Sequence, residues 1–322
     1  MAEPVLLNSR QMASFAARGF LRFDGIVPET VNRAFMDRVA SAGPRDADDL
    51  RRHYGRLMAS EILPSVAAGT PLETAYPEGS PLRDVLRLPR IAGAVASLVG
   101  PDCLLDHHFV HVTYPPGFHA GAGRDAAAQH YHQDSTIDPR RAFDVQLLYF
   151  PQAVTPDMGG TRFLPGSHLR VVSEMAIARY QNIAGQQHVV CPAGTVLLLH
   201  HGIWHGGGMN RSAQLRYLVK LRLNPVRRQC RLWDTSDLPA RRLPQRPIFW
   251  TGVRRGTPAE AESIEAILTR PEPWFEADSG RLEYINRIRF WRQLTGDPHY
   301  DADYWLSRIE NEPSGSDTPE RG

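Results

Sequence analysis

Lysine is almost missing from this 322-residue sequence: Lys220 stands alone against 37 lysine and arginine residues in total. Fixed positive charge is therefore carried by guanidinium groups, which favour planar, bidentate contacts over point-like ones. Cysteine is nearly as scarce. Cys103, Cys191 and Cys230 are odd in number and far apart, which excludes a disulfide framework or a thiolate zinc site and suits a reducing compartment. No apolar run reaches spanning length, and the opening residues lack a basic region followed by a long apolar stretch, so no membrane segment is expected and the cytoplasm is the expected location. Nor is there a block of one charge sign. The 37 basic and 35 acidic residues are interspersed for a formal net charge of +2, and no nucleic-acid partner is expected.

What is present is apolar material and histidine. With 42% hydrophobic residues the chain has ample material for a full core, and 11 of its 13 histidines fall between His107 and His205. Residues 9 to 40 read as two short helices around Gly25-Ile-Val-Pro, from the spacing of Val31, Phe35 and Val39. Residues 41 to 52 are polar and turn-rich, and helical periodicity returns over 82 to 99 before Gly100-Pro101. From Cys103 to Pro225 the texture changes to short Val, Leu, Phe and Tyr runs between Pro-Gly, Gly-Gly and Asn-Pro turns, predicting strands near 103–114, 143–151, 160–164, 187–191, 195–200 and 214–223. Successive strands without helices between them imply a sandwich, jelly roll or barrel. After Pro225 the chain is rich in Arg and Pro, then helical at 258–269, 280–295 and 301–310, with a polar tail from Glu312 expected to be disordered. A single domain over 1–311 is expected, with a helical leading part to residue 100, a β core over 101–225 and an irregular, helical part over 226–311.

Within the β core, His132-Gln133-Asp134 sets an imidazole and a carboxylate two residues apart, on one side of an extended segment, able to chelate one metal ion. A third ligand must come from elsewhere, and His205 lies just beyond the apolar run Leu197-Leu-Leu-His-His. Two histidines and one carboxylate on one face of an octahedron leave three positions for a bidentate oxo-acid and O₂, the arrangement of non-haem Fe(II) oxygenases. Arg216, eleven residues beyond His205 in an expected strand, needs a carboxylate if it faces inward; the distal carboxylate of 2-oxoglutarate meets that need.

Three blocks taken together resemble the phytanoyl-CoA dioxygenase-like (PhyH) family of Fe(II)/2-oxoglutarate oxygenases: His130-Tyr-His-Gln-Asp, Gly159-Gly-Thr-Arg-Phe-Leu-Pro-Gly-Ser-His168, and His205-Gly-Gly-Gly-Met-Asn-Arg-Ser212 followed by Arg216. The segment Phe15-Ala-Ala-Arg-Gly-Phe-Leu-Arg-Phe-Asp-Gly-Ile-Val-Pro is similar to the family's opening, so the likeness runs from about residue 9 to Pro225. The resemblance implies a mainly β fold with flanking helices around a double-stranded β-helix (jelly roll, cupin-like), metal ligands at His132, Asp134 and His205, and cosubstrate binding at Arg216. Gln133 agrees with the pattern. It further implies Fe(II), 2-oxoglutarate and O₂ as reactants, hydroxylation of an unactivated C–H bond, and release of succinate and CO₂. Relatives that chlorinate carry Gly or Ala at the position of Asp134, so halogenation is not expected.

Each of these residues has a plainer explanation to be weighed. A lone His-x-Asp triplet is a weak signal in a chain with 13 histidines; the ordered set of blocks is what lifts it. His200 and His201 compete with His205, but only His205 has the offset to Arg216, so they are read as packing or supporting residues. His168 closes a turn, and Asn210 and Ser212 are read as local braces. Alternation puts Phe109, His111 and Thr113 on one strand face, where His111 and Thr113 meet the cosubstrate if that face lines the interior, or serve as ordinary strand residues if it does not. Trp204, Trp233, Phe118 and Arg124 are candidates for the mouth, and Ile285, Ile288, Trp291, Leu294 and Trp305 for the apolar face of covering helices. The expected partner is a small molecule, such as an amino acid or a specialised-metabolism intermediate; the run from Arg227 to Arg246 is read as a solvated loop in preference to a CoA phosphate site. Oligomeric state stays open. Two other readings remain, a metalloenzyme of this fold that does not use 2-oxoglutarate and a non-catalytic ligand-binding homologue.

Overall fold

The computed structural model describes residues 3–42, 49–58, 62–121, 127–134, 144–169, 182–226 and 232–237, and Gly296. The expected helices after residue 258, the arginine run, Arg124 and the tail lie outside these residues. The chain divides into two compact units, Met1–Asp234 and Thr235–Gly322, and the first contains all the described helices and strands.

Its elements are α1 (Ser9–Arg18), β1 (Phe20–Phe23), α2 (Glu29–Ser41), α3 (Leu50–Met58), β2 (Thr70–Pro71), α4 (Pro81–Leu86), α5 (Pro89–Val99), β3 (Leu104–Thr113), α6 (Pro116–Gly121), β4 (Val145–Phe150), β5 (Thr161–Phe163), β6 (Gln187–His188), β7 (Thr195–His200), β8 (His205–Gly207) and β9 (Arg216–Asn224). The strands form a six-stranded sheet in the order β1-β7-β4-β9-β3-β2 and a three-stranded sheet in the order β6-β5-β8. Every pairing is antiparallel. The mainly β, double-stranded β-helix expectation holds.

Two layers of core explain why the central strands are apolar on both faces. Val145, Leu147 and Tyr149 of β4, Val196 and Leu198 of β7, and Val219 and Leu221 of β9 share one cluster with Phe15, Phe35, Leu82 and Ile91 of the helices. The alternate residues Leu148, Phe150, Leu197, Leu199 and Leu218 join Phe163 of the small sheet and Val189, next to β6, in a second cluster. Period-two alternation sorts each strand between these layers. Phe35 meets Tyr149 edge-on at 5.6 Å, and the Tyr149 hydroxyl donates to Asn32 at 2.7 Å. That buried polar pair fixes how α2 lies on the sheet, since an unmet polar group there would cost about 1–3 kcal/mol.

The structure corrects two sequence expectations. Phe20–Phe23 is an edge strand paired to β7, with Phe20 opposite Leu199, between the two helices expected over residues 9 to 40. Its alternating burial, with Leu21 and Phe23 inside, is too short a pattern to stand out. The helix expected over 82–99 is two helices, because Pro89 opens α5 at its first turn and cannot continue α4.

Candidate metal centre

His132 and His205 face one another across an isolated antiparallel bridge, each accepting the other's backbone N–H at 2.9 Å. This ladder pair sets the two rings 4.5 Å apart. Both rings use Nδ1 on a backbone carbonyl two residues earlier, His132 on His130 and His205 on Ile203, each at 3.0 Å. With Nδ1–H donating, the Nε2 lone pair of each ring is left facing Asp134, whose oxygens lie 3.4 Å from His132 Nε2 and 3.7 Å from His205 Nε2. One ligand atom from each of the three residues lies within 4.8 Å of the others. Three lone-pair donors converging with their second nitrogens already committed suit a first-row divalent metal.

The electrostatics agree. Burial pushes His205 down to about 4, so its ring is neutral at physiological pH. His132 is raised: burial opposes its charge but is outweighed by the Asp134 carboxylate and the His130 carbonyl. Burial would raise Asp134, yet His132, His205 and Lys220 hold it well below the usual carboxylate range. A permanently ionised carboxylate beside two imidazoles is a site for a cation.

These residues open on a cavity of about 250 Å³, with His132 and His205 on one wall and His111, Thr113, Arg216 and Lys220 on another. The register explains that second wall. Thr113 stands opposite Arg216, His111 opposite Leu218 and Phe109 opposite Lys220, so alternate residues of the two strands share the cavity face. Arg216 is 3% exposed; its Nη2 donates to Thr113 Oγ1 at 2.7 Å, while Nε and Nη1 are buried without a hydrogen-bond partner. Two vacant donors of a buried guanidinium match a carboxylate, so the fit to an oxo-acid rests on this chain's own unmet hydrogen bonds.

Gly159 and Gly160 lead directly into β5. A Cβ at Gly159 would lie 2.2 Å from the Met209 carbonyl oxygen, and one at Gly160 1.9 Å from that of Val189. Only glycine allows the loop after His205 to pack against this turn.

Of the residues expected from the sequence, His132, Asp134 and His205 come together, and His111, Thr113 and Arg216 line the same cavity. Gln133 sits between two of the grouped residues and is not on the cavity wall. His200 directs Nδ1 at the Gly202 N–H at 3.0 Å and stacks with His201, which bonds the Asp144 backbone; neither joins the group. The Asn210 side chain bonds the carbonyls of Thr113 and Gln214, and Ser212 bonds Asn210, bracing the loop that leads to Arg216. His168 bonds the Ala16 carbonyl. Trp233 donates to Ser9, and Phe118 stacks on Tyr114 at 4.1 Å. Sequence reasoning missed Gln129, Gln146 and Lys220, all on the cavity wall. For Lys220 a signal existed, because an even separation of four from Arg216 puts both on one face of a strand.

No curated protein sequence matches this chain. Among solved structures, the chain is similar to ThoJ, a non-haem monooxygenase in complex with nickel, at 18% identity over 67% of this chain and 77% of that one, with a TM-score of 0.47. It is also similar to HygX from Streptomyces hygroscopicus with nickel and 2-oxoglutarate bound, at 17% identity over 69% and 88% of the two chains with a TM-score of 0.47. A third is SnoK, a non-haem, alpha-ketoglutarate-dependent carbocyclase from nogalamycin biosynthesis, at 16% identity over 70% and 87% with a TM-score of 0.47. The family model of phytanoyl-CoA dioxygenase (PhyH) matches residues 64–218, a span that holds all three grouped residues and Arg216. The likeness to this family thus lies over the candidate metal centre and covers just under half of the chain.

Proposed function

We propose that this protein is an Fe(II)- and 2-oxoglutarate-dependent dioxygenase that hydroxylates a C–H bond of a small molecule. The observation that carries the reading is Arg216, a buried guanidinium with two unmet donors on the same cavity as His132 and His205, the two histidines grouped with Asp134. In this reading His132 and His205 offer Nε2 and Asp134 a carboxylate oxygen to the iron, while Arg216 and the Thr113 hydroxyl hold the far carboxylate of the oxo-acid. Bound iron would supply the O₂-dependent oxidation of the C–H bond, coupled to decarboxylation of 2-oxoglutarate to succinate and CO₂. The chain's own contribution is position. His205 stays neutral and needs no deprotonation, Ile203 and His130 hold the two rings in the ligating tautomer, and Leu148 and Leu218 on the wall keep water from the reacting centre.

The test is anaerobic loading with Fe(II) and 2-oxoglutarate, watching for the weak visible metal-to-ligand charge-transfer band of the chelate. The wild-type protein is expected to show it, His132→Ala to lose it, and Arg216→Ala to need far more 2-oxoglutarate. A folded, iron-loaded wild type with no band would overturn the reading in favour of a metalloenzyme that does not use the oxo-acid.

A further inference from the structure

Lys220 has no task in the chemistry proposed for the metal and the oxo-acid. The sole lysine of the chain is 9% exposed, contacts the Asp134 carboxylate and lines the cavity. It lies four residues beyond Arg216, roughly 13 Å along the strand, so Arg216 opens β9 and Lys220 stands at its middle on the same face. Arg222, the next residue on that face, is already matched by Asp144 at 2.5 Å.

The charges of the loaded site do not balance without a further anion. Among the described residues, the fixed charges are Arg216 and Lys220, positive, on the cavity wall and Asp134, negative, in contact with Lys220. A divalent metal adds two positive charges and 2-oxoglutarate two negative ones, so the loaded site keeps one positive charge in excess. The metal takes the carboxylate that Lys220 otherwise contacts, and Arg216 takes the oxo-acid. The uncompensated charge is therefore the Lys220 ammonium, and a buried charge without a partner is costly.

Gln146 is a second and independent observation at the same end. It is fully buried and on the cavity wall, yet neither its Nε2 nor its Oε1 has a hydrogen-bond partner. On β4 it stands opposite Arg222, and Leu148, two residues on, stands opposite Lys220; Gln146 is thus diagonal to Lys220 on the inward face. An ammonium with an adjacent amide offers donors to a carboxylate and one acceptor to a nearby hydroxyl or amine.

We propose that Lys220 and Gln146 form the subsite for the primary substrate, and that this substrate is a small carboxylic acid bearing a neighbouring hydroxyl or amino group, its carboxylate held on the side of the metal away from Arg216. The proposal rests on the oxygenase reading and adds the substrate class to it. It also gives Lys220 two partners in turn, Asp134 before metal loading and the substrate carboxylate afterwards.

The lone lysine makes the test direct, because protein grown on ¹³C-lysine gives one set of side-chain signals, all from Lys220. Zn(II) replaces iron so that no turnover occurs. Zn(II) is expected to move the Lys220 signal as Asp134 is claimed, and 2-oxoglutarate binding is then followed by calorimetry. To this loaded protein are added short 2-hydroxy and 2-amino acids, each beside its own primary amide. The expected result is a saturable shift of the Lys220 signal with an acid and none with its amide, and affinity for that acid at least tenfold weaker in Lys220→Met and Gln146→Leu, partly restored in Lys220→Arg, with 2-oxoglutarate affinity unchanged within threefold. If 2-oxoglutarate binds but Zn(II) leaves the Lys220 signal in place, or no acid moves it, or acid and amide bind alike, the subsite is refuted and the oxygenase reading stands. If 2-oxoglutarate itself fails to bind the zinc-loaded protein, both fall.

Discussion

Replacing Arg216 by methionine should make the unliganded protein more stable while removing its hold on 2-oxoglutarate. Arg216 is 3% exposed with Nε and Nη1 unpartnered, and burial lowers its pKa to about 10, the mark of a charge held where the fold does not reward it. An unmet buried donor costs about 1–3 kcal/mol. The loss of the 2.7 Å bond to Thr113 offsets part of the gain, since a hydrogen bond to a charged group contributes about 1.5–3 kcal/mol. The net is a gain of roughly 1–2 kcal/mol for a side chain whose stem fills the same space, or about 2–8 °C in Tm for a chain of this size. Ligand binding moves the other way. Two charge-assisted bonds to the carboxylate disappear, at least 3 kcal/mol, so Kd should rise on the order of 100-fold or more. Thermal unfolding of the metal-loaded protein reads both effects. At 2-oxoglutarate a hundred times the wild-type Kd, the wild type gains about 2.7 kcal/mol and the variant about 0.4 kcal/mol. A variant that is less stable than wild type by more than about 1 kcal/mol without ligand, yet keeps the ligand-induced gain, would refute the assignment of Arg216 as a binding residue.

Metal loading should release a proton at and below neutral pH. His205 is already neutral, pushed down to about 4, whereas His132 is raised above its ordinary value by Asp134 and must shed its proton to ligate. Metal affinity should therefore fall about tenfold per pH unit below the His132 pKa and level off above it; calorimetry in buffers of different ionisation heat counts the proton, and a release of none at pH 6 would contradict the geometry. At the turn beneath the loop after His205, Gly160→Ala should cost about 3 kcal/mol or more, because its Cβ would lie 1.9 Å from the Val189 carbonyl oxygen. Gly117→Ala, whose Cβ would meet nothing within 4 Å, serves as the control in the same urea titration, and equal midpoints for the two variants would sink that argument.

The sequence carried the strands best where both faces are buried. Val145–Phe150 and Thr195–His200 are buried at every position, so Leu147–Phe150 and Val196–Leu199 read as continuous apolar runs, and the turns around the strands announce themselves through Gly-Gly and Asn-Pro pairs. Phe20–Phe23 was not legible as a strand because only Leu21 and Phe23 are fully buried, and two apolar positions fit a helix flank as well. In the site, His132 and Asp134 were legible because their proximity is local, a property of one extended triplet. His205 and Arg216 needed the order of whole blocks.

What the sequence withheld is whatever depends on register between distant strands. Nothing local distinguishes Gln146 from a solvent-facing residue of a half-buried strand; its position follows only once β4 is aligned so that Gln146 meets Arg222 on one side and Leu199 on the other. The same alignment decides whether Lys220 faces helices or cavity. A shift of one residue would exchange it with Val219, which lies in the helix-facing layer, and would bury an ammonium among leucines and valines at a cost of several kcal/mol. Register is thus enforced by the apolar residues of β9 on the helix side, and the charged residues of its other face are carried into the cavity as a consequence. Arg216, Lys220 and Arg222 reach the interior because Tyr217, Val219, Leu221 and Leu223 are held in the core between them.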